Sequence, residues 1–166
     1  EGLGDLRGVR HLFAEELKEP VDYFVAFDGT GYGITNVGVG SRRYRVTFKG
    51  PGGLSYGAFG RPNPIHALGR AIAKIGDFQV PSAPKTTFNV GRTGGGTSIN
   101  SIPYEAWMEV DMRSADEKSL ADVDARFHEA VDRALAEGYR TGTSLADLLE
   151  VGVFKIITDG SLNTRT

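Results

Sequence analysis

Few side chains in this sequence combine a type and a spacing that could support chemistry. The three histidines, His11, His66 and His128, include no pair at the i, i+4 spacing of a helical metal site, which favours surface or helix-capping roles. The glycine-rich loop TGGGTS at 93–98 lacks the Lys-Ser/Thr pair that completes a phosphate-binding loop. The chain has no cysteine, which excludes disulfides and thiolate metal sites.

A second feature is the loop at 50–63, which reads GPGGLSYGAFGRPN. Its glycines and the Asn63-Pro64 step describe a tight loop that leads into a helix. A loop of this kind usually presents a side chain at its tip, and here the tip carries Leu54. Leucine has no hydrogen-bond donor and cannot ligate a metal, so we expect no chemistry at that position.

The composition indicates an ordinary globular chain of 166 residues, with 40% hydrophobic and 24% charged residues. The net charge of −2 gives no electrostatic reason to expect a nucleic-acid or anionic-membrane partner. No apolar run approaches the roughly 20 residues of a membrane span, and no signal peptide is visible. We therefore expect a cytoplasmic protein. Because the sequence opens on Glu1 rather than methionine, we also expect a piece of a longer chain.

Hydrophobic periodicity predicts the elements of the first half. A short helical pattern covers 8–19, and a mostly apolar, β-prone run covers 21–28. Apolar and polar residues alternate over 43–50, which predicts a half-buried strand. Asn63 and Pro64 then begin a helix that extends to 76.

The second half contains three more strand patterns and one long helix. The strands are predicted at 85–91, 105–113 and 151–157. Between the last two, the sequence from Ser114 to Glu117 reads as an S-x-x-E capping box, and the helix it starts closes at Gly138.

The order strand, helix, strand, strand, helix, strand predicts an α+β fold. We expect a two-layer sandwich, in which a four-stranded, mostly antiparallel sheet carries two helices on one face, the ferredoxin-like βαββαβ arrangement. This domain is predicted to cover 41–158. Residues 1–40 precede it, and residues 159–166 form a tail.

Three motifs carry a resemblance to a known family. They read RRYRVTFKGPGG followed by YGAFGRPNPIHALGRAI, then TTFNVGRTGGGTSINSIP, then MEVDMRS. In this order they resemble the dimerisation, or lid, domain of the M20 family of zinc-dependent exopeptidases and amidohydrolases. Residues 1–28 resemble the end of the catalytic domain that precedes that lid. The tail from 154 onward is also similar to a strand and loop of metal-dependent amidohydrolases of another fold.

The resemblance implies roles for three positions of the lid. The family has a histidine at the tip of the GPGG loop, which reaches the partner subunit's active site, and this chain has Leu54 there. Asn100 and Arg113 match residues that bind the substrate's carbonyl or carboxylate. From the residues alone, Asn100 could equally hydrogen-bond its own loop, and Arg113 could pair with Asp111 or Glu109.

The resemblance also implies two vestigial zinc ligands. Glu1 matches a metal-binding glutamate, and Asp28 matches a later acidic ligand. For Glu1, a flexible terminal residue is the favoured interpretation, and Asp28 before Gly-Thr-Gly suits a turn equally well. A zinc site needs three or four ligands, so no cofactor is expected in this chain, although the parent family uses zinc.

These observations lead to a functional hypothesis and one alternative. The hypothesis is a non-catalytic lid that forms a homodimer through strand 85–91 and helix 64–76, and that meets a peptide-like substrate only beside a catalytic domain. The alternative is that the chain is part of an active zinc-dependent aminopeptidase, carboxypeptidase or amidohydrolase, whose remaining metal ligands lie outside these residues.

Overall fold

The computed structural model describes residues 7–27, 31–138 and 149–157, and the chain divides into two compact units, Glu1–Asn36 and Val37–Thr166. In the first unit, helix α1 spans Arg7–His11 and continues into a π-helical turn at Leu12–Glu16. The only ring contact in the described part of this unit joins Phe13 and Phe24, whose centroids lie 5.6 Å apart.

The β-prone run that begins at 21 forms no strand over 21–27, and Asp28 lies outside the described residues. The expectation of a strand is therefore wrong for 21–27. Large apolar side chains in this run are exposed, Tyr23 by 92% and Phe27 by 97%. A strand needs a neighbour for its backbone groups, and residues 21–27 pair with no strand in the described part of the chain.

The second unit is built on a four-stranded sheet. The strands of the unit span Gly40–Lys49 (β1), Gly53–Leu54 (β2), Thr86–Gly95 (β3), Ser101–Ile102 (β4), Glu105–Ser114 (β5) and Leu149–Ile157 (β6). The four long strands lie in the order β3-β5-β1-β6, and every neighbouring pair is antiparallel. The two-residue strands β2 and β4 pair separately, in the loops.

Two helices, α2 at Pro64–Gly76 and α3 at Glu117–Gly138, cover one face of this sheet. Because alternate strand residues point to opposite faces, one apolar row from each central strand faces the helices, and this arrangement confirms the predicted two-layer α+β fold. None of the described helices has the length and apolarity needed to span a membrane. The core is formed by sheet residues Tyr44, Val46, Phe48, Ala106, Met108, Val110 and Met112 and by helix residues including Leu68, Ile75, Val123 and Phe127.

Helix α2 begins as predicted. Asn63 is its N-cap, and the Asn63 Oδ1 atom accepts a hydrogen bond from the Ile65 amide at 3.0 Å. The start of α3 differs from the predicted capping box. Asp116 caps this helix instead, because its Oδ2 atom accepts hydrogen bonds from the Ser119 amide and hydroxyl, both at 2.7 Å.

Ser114 cannot serve as the cap because it is the last residue of β5 and is buried. Its hydroxyl lies 3.0 Å from the Thr86 hydroxyl across the sheet and accepts a hydrogen bond from the Asp116 amide. Aspartate and serine are comparable N-caps, so the cross-strand contact with Thr86 settles which residue caps the helix.

This assignment makes a testable prediction. Replacing Asp116 with alanine is expected to lower the free energy of unfolding by clearly more than the matched replacement of Glu117, because the Ser119 amide loses its acceptor. Replacing Glu117, the other acid of the expected capping box, is expected to cost less than about 0.5 kcal/mol at this exposed position. Urea unfolding of both variants measures the difference. An equal loss in both would favour the capping box.

A polar cluster interrupts the apolar layer between β1 and α3. Arg42 Nη1 donates to Asp124 Oδ2, and the two side chains are only 21% and 13% exposed. Burial raises the pKa of Tyr44 to about 12, and a hydrogen bond to Asp124 adds to this effect. Asp124 Oδ1 lies 3.8 Å from His128 Nε2. This buried charge pair therefore links the first strand of the sheet to its longer helix.

Candidate functional site

The loop that presents Leu54 depends on two glycines with positive φ. Gly52 has a φ of 67° and Gly53 a φ of 140°, in a region that other residues rarely adopt. The Tyr104 ring packs directly against Gly52, so that a Cβ atom there would lie 2.5 Å from the ring. The Gly50 amide donates to the Tyr104 carbonyl at 2.8 Å, which fixes the base of the loop to the start of β5.

Leu54 lies at the tip and is 59% exposed. The pairing of β2 with β4 places it opposite Ser101, and the neighbouring Ser55 amide donates to the Asn100 carbonyl at 2.8 Å. The structure therefore brings Leu54, at the position where the family has a histidine, next to Asn100, a predicted substrate-binding residue. No described hydrogen bond involves the leucine side chain, which cannot form one.

The side chain of Asn100 interacts with its own loop. Its Oδ1 atom accepts a hydrogen bond from the Ser98 hydroxyl at 2.9 Å, and that hydroxyl lies 2.8 Å from the Ser101 hydroxyl. Asn100 remains exposed. The contact orients the amide so that its NH₂ group is the end available for an external acceptor.

A groove of about 530 Å³ runs beside this tip. It lies between the loop at 55–63, the first turn of α2 and the C-terminal end of α3. Two of its apolar side chains, Phe59 and Ile99, are almost fully exposed. His66 and Arg70 add polar groups along its wall. A site at this end of the sheet thus offers apolar contacts and hydrogen-bond donors.

Arg113 lies at the other end of the sheet. It faces Ser41 at the start of β1 and Thr87 at the start of β3. The strand from Glu105 to Arg113 spans about 27 Å at the rise of an antiparallel strand. A single copy of the chain therefore does not bring Arg113 and Asn100 to the same site.

Arg113 belongs to a charge cluster on the helix-free face of the sheet. Its Nε atom donates to Asp111 Oδ2 at 2.7 Å, while Arg43 Nε donates to Asp111 Oδ1 at 2.7 Å. The Ser41 hydroxyl adds a hydrogen bond of 3.2 Å to the same oxygen. Burial opposes ionisation of Asp111, but the hydrogen bonds and charges of the two arginines outweigh it and lower the pKa of this carboxyl.

The predicted metal ligands Glu1 and Asp28 both lie outside the described residues. Within 7–27, 31–138 and 149–157, no group of three or more potential ligand side chains could hold a metal ion. Zinc requires at least three protein ligands at one centre, so these ranges supply no zinc site.

The family model described as the M20 peptidase dimerisation domain matches residues 39–138, which form most of the second unit. The chain belongs to the M20 peptidase dimerisation-domain family. Its M20 domain contains the display loop at 50–63, which presents Leu54, together with Asn100 and Arg113.

One curated relative of this M20 domain is a hydrolase. The chain is 30% identical over 138 residues to an indole-3-acetyl-aspartic acid hydrolase of Enterobacter agglomerans, covering 78% of this chain but 32% of that enzyme. The chain thus spans about a third of the length of this curated relative.

Solved structures share the fold of the M20 domain. An aminobenzoyl-glutamate utilization protein from Klebsiella pneumoniae matches 81% of this chain and 35% of its own, with a TM-score of 0.66 at 22% identity. A hydantoinase/carbamoylase family amidase from Burkholderia vietnamiensis matches 74% of this chain and 29% of its own, with a TM-score of 0.58 at 23% identity.

Sequence reasoning missed the contribution of Arg43. Its signal was present, since Arg43 lies on the polar face of the predicted strand 43–50, as Asp111 and Arg113 do on the strand 105–113. Strand periodicity gives the face of each residue, but the pairing register that places Arg43 opposite Asp111 appears only in the sheet.

Proposed function

We propose that residues 41–158 act as a non-catalytic dimerisation and lid module of an M20-type metallohydrolase that cleaves peptide or N-acyl amino acid bonds. The observation that carries this proposal is the position of β3, which lies at one edge of the sheet and pairs only with β5 among the described strands. An edge strand presents unpaired backbone N–H and C=O groups that a second copy can satisfy.

The surface of α2 supports the same mode of association. Gly69, Ala73 and Gly76 follow one another at i, i+4 and i+7, and all three are exposed. Phe78, just beyond the helix, contacts Phe88 of β3 with ring centroids 5.5 Å apart, so this end of α2 lies on the β3 side. We propose that two copies pair their β3 strands and pack their α2 helices together.

Antiparallel pairing of two β3 strands would also complete a substrate site. The start of one β3, next to Arg113, would lie beside the end of the partner's β3, next to the loop that holds Asn100. Each site would then combine the arginine of one copy with the tip of the other. This arrangement accounts for the distance between the two residues within one chain.

The names of two similar proteins narrow the proposed substrate class. One acts on indole-3-acetyl-aspartic acid and another is named for aminobenzoyl-glutamate, and both compounds join an aromatic acyl group to an acidic amino acid through an amide. The exposed Phe59 and Ile99 suit the aromatic part, and Arg113 suits a carboxylate. We propose amides of acidic amino acids as the substrates of the complete enzyme.

The dimer is tested by replacing Ala73 with arginine. A long charged side chain on the exposed face of α2 is expected to raise the dimer dissociation constant at least tenfold, because its charge would be buried against the partner. Analytical ultracentrifugation over a concentration series measures this constant.

Ala125→Arg provides the matched control, since Ala125 is an exposed alanine on α3. It is expected to leave the dissociation constant within about twofold. If the unaltered chain remains monomeric at high micromolar concentration, or if both variants weaken the dimer equally, the proposed interface is wrong.

A further inference from the structure

Arg43 and Arg113 hold one carboxylate through their Nε atoms. Each guanidinium donates its Nε–H group to a different oxygen of Asp111, at 2.7 Å in both cases. The neighbouring cluster on the same face differs, because Arg45 and Arg92 donate terminal Nη1 groups to Glu109, at 2.9 and 3.1 Å. The two arginines at Asp111 therefore bind it through Nε, on the side of the guanidinium, whereas those at Glu109 bind through a terminal Nη1 atom.

This geometry leaves the donor ends of both arginines available. A guanidinium has five N–H groups, and each of these two uses one of them on Asp111. In the described parts of the chain, no acceptor is hydrogen-bonded to an Nη atom of Arg43 or Arg113. Their side chains are 27% and 46% exposed, so an external anion can reach them.

The net charge of the cluster of Arg43, Arg113 and Asp111 also favours an anionic ligand. Two guanidinium cations share one carboxylate, whose lowered pKa keeps it ionised at neutral pH. One positive charge is therefore not balanced within the trio. A carboxylate that accepts two parallel N–H bonds from an arginine end is among the stronger charged contacts in proteins.

We propose that Arg43 and Arg113 form a two-arginine clamp for a ligand with two carboxylates, and that Asp111 is a positioning residue that turns both donor ends outward. This inference rests on the proposed substrate class, and it adds a second cation and a reason for selecting acidic over neutral amino acids. Arg113 binds one carboxylate and Arg43 the other.

The clamp is tested by calorimetric titration of the 166-residue chain with two ligands that differ in one group. N-acetyl-glutamate carries two carboxylates, and N-acetyl-glutamine replaces one of them with an amide of the same shape. The first is expected to bind at least tenfold more tightly, as one charged hydrogen-bond pair is lost in the second.

Three variants assign the residues. Arg43→Gln is expected to abolish the preference for N-acetyl-glutamate, whereas Arg113→Gln weakens both ligands at least tenfold. Arg45→Gln is the matched control, because it removes the same charge two residues along the same strand face but leaves Asp111 untouched. It is expected to change neither affinity by more than twofold.

The role of Asp111 is tested by Asp111→Asn, which keeps the shape of the side chain. The preference for N-acetyl-glutamate is expected to fall at least fivefold in this variant. Arg43→Lys keeps the positive charge but lacks the planar guanidinium, so it is expected to recover only part of the N-acetyl-glutamate affinity that Arg43→Gln loses. Urea unfolding of each variant shows whether it is folded, and Arg43→Gln remains informative if Asp111→Asn is not.

Equal affinity of the unaltered chain for the two ligands would overturn the clamp, as would an equal loss in Arg43→Gln and Arg45→Gln. Ultracentrifugation of the same samples separates this outcome from failure of the proposed dimer. A dimer without the preference rejects only the clamp, and a monomer with the preference rejects only the dimer.

Discussion

Replacing Asp124 with alanine is expected to lower the free energy of unfolding by about 3 kcal/mol. The substitution would leave the Arg42 guanidinium largely buried with no counter-ion, and removing one partner of a buried pair costs about 3–5 kcal/mol. The lower end applies because Arg42 is 21% exposed. Urea unfolding followed by Trp107 fluorescence measures the change, since Trp107 lies within β5.

Two further variants define this effect. Asp122→Ala removes an exposed acid from the same helix and is expected to change stability by less than about 0.5 kcal/mol. Arg42→Met combined with Asp124→Leu removes both charges and is expected to recover most of the loss, since an apolar pair avoids desolvation. A loss below about 1 kcal/mol for Asp124→Ala would show that the pair contributes little.

Replacing Leu54 with histidine is expected to raise hydrolysis about 100- to 1,000-fold where the domain operates beside a catalytic domain. An imidazole at the exposed tip can donate a hydrogen bond to a developing oxyanion, and one such donor has an effect of about this size. A suitable test replaces the corresponding domain of the Enterobacter agglomerans hydrolase with residues 39–158, which include all four strands of the main sheet, with either residue at the tip. The measured quantity is kcat for indole-3-acetyl-aspartic acid.

Tyr56→His in the same chimera is the control, because Tyr56 is 95% exposed two residues beyond the tip. It adds an imidazole to the loop without placing it at the tip, so no gain is expected. If Leu54→His gives no gain in a chimera that still dimerises, the residue at the tip does not limit hydrolysis. If the Leu54 chimera is already fully active, the alternative of a working enzyme with a substituted tip is favoured.

The sheet and helices could be predicted because each has a strong local signal. The alternation over 105–113 predicts β5 to within one residue. The Asn63-Pro64 step likewise predicts the start of α2 to within one residue. The expectation of a strand over 21–27 is wrong because periodicity cannot show whether a strand has a neighbour. The predicted cap of α3 is wrong because β5 extends through Ser114, which is buried and contacts Thr86, and the sequence does not show where this strand ends.

The candidate site was predicted less completely than the fold. Leu54 and Asn100 come together because the loops that hold them meet through β2 and β4. The separation of Arg113 from them follows from the lengths and directions of three strands, which no single motif contains. The pairing of Arg43 with Asp111 likewise depends on register.

The contacts that hold the display loop at 50–63 have an evolutionary consequence. The loop is held by glycine conformations, the Tyr104 ring and backbone hydrogen bonds, none of which involves the side chain at position 54. Exchanges at this exposed position therefore change the free energy of unfolding little. Selection for a folded, dimerising protein would not detect the loss of a donor there, so a lineage can abandon or regain reactivity at the tip while the scaffold stays intact.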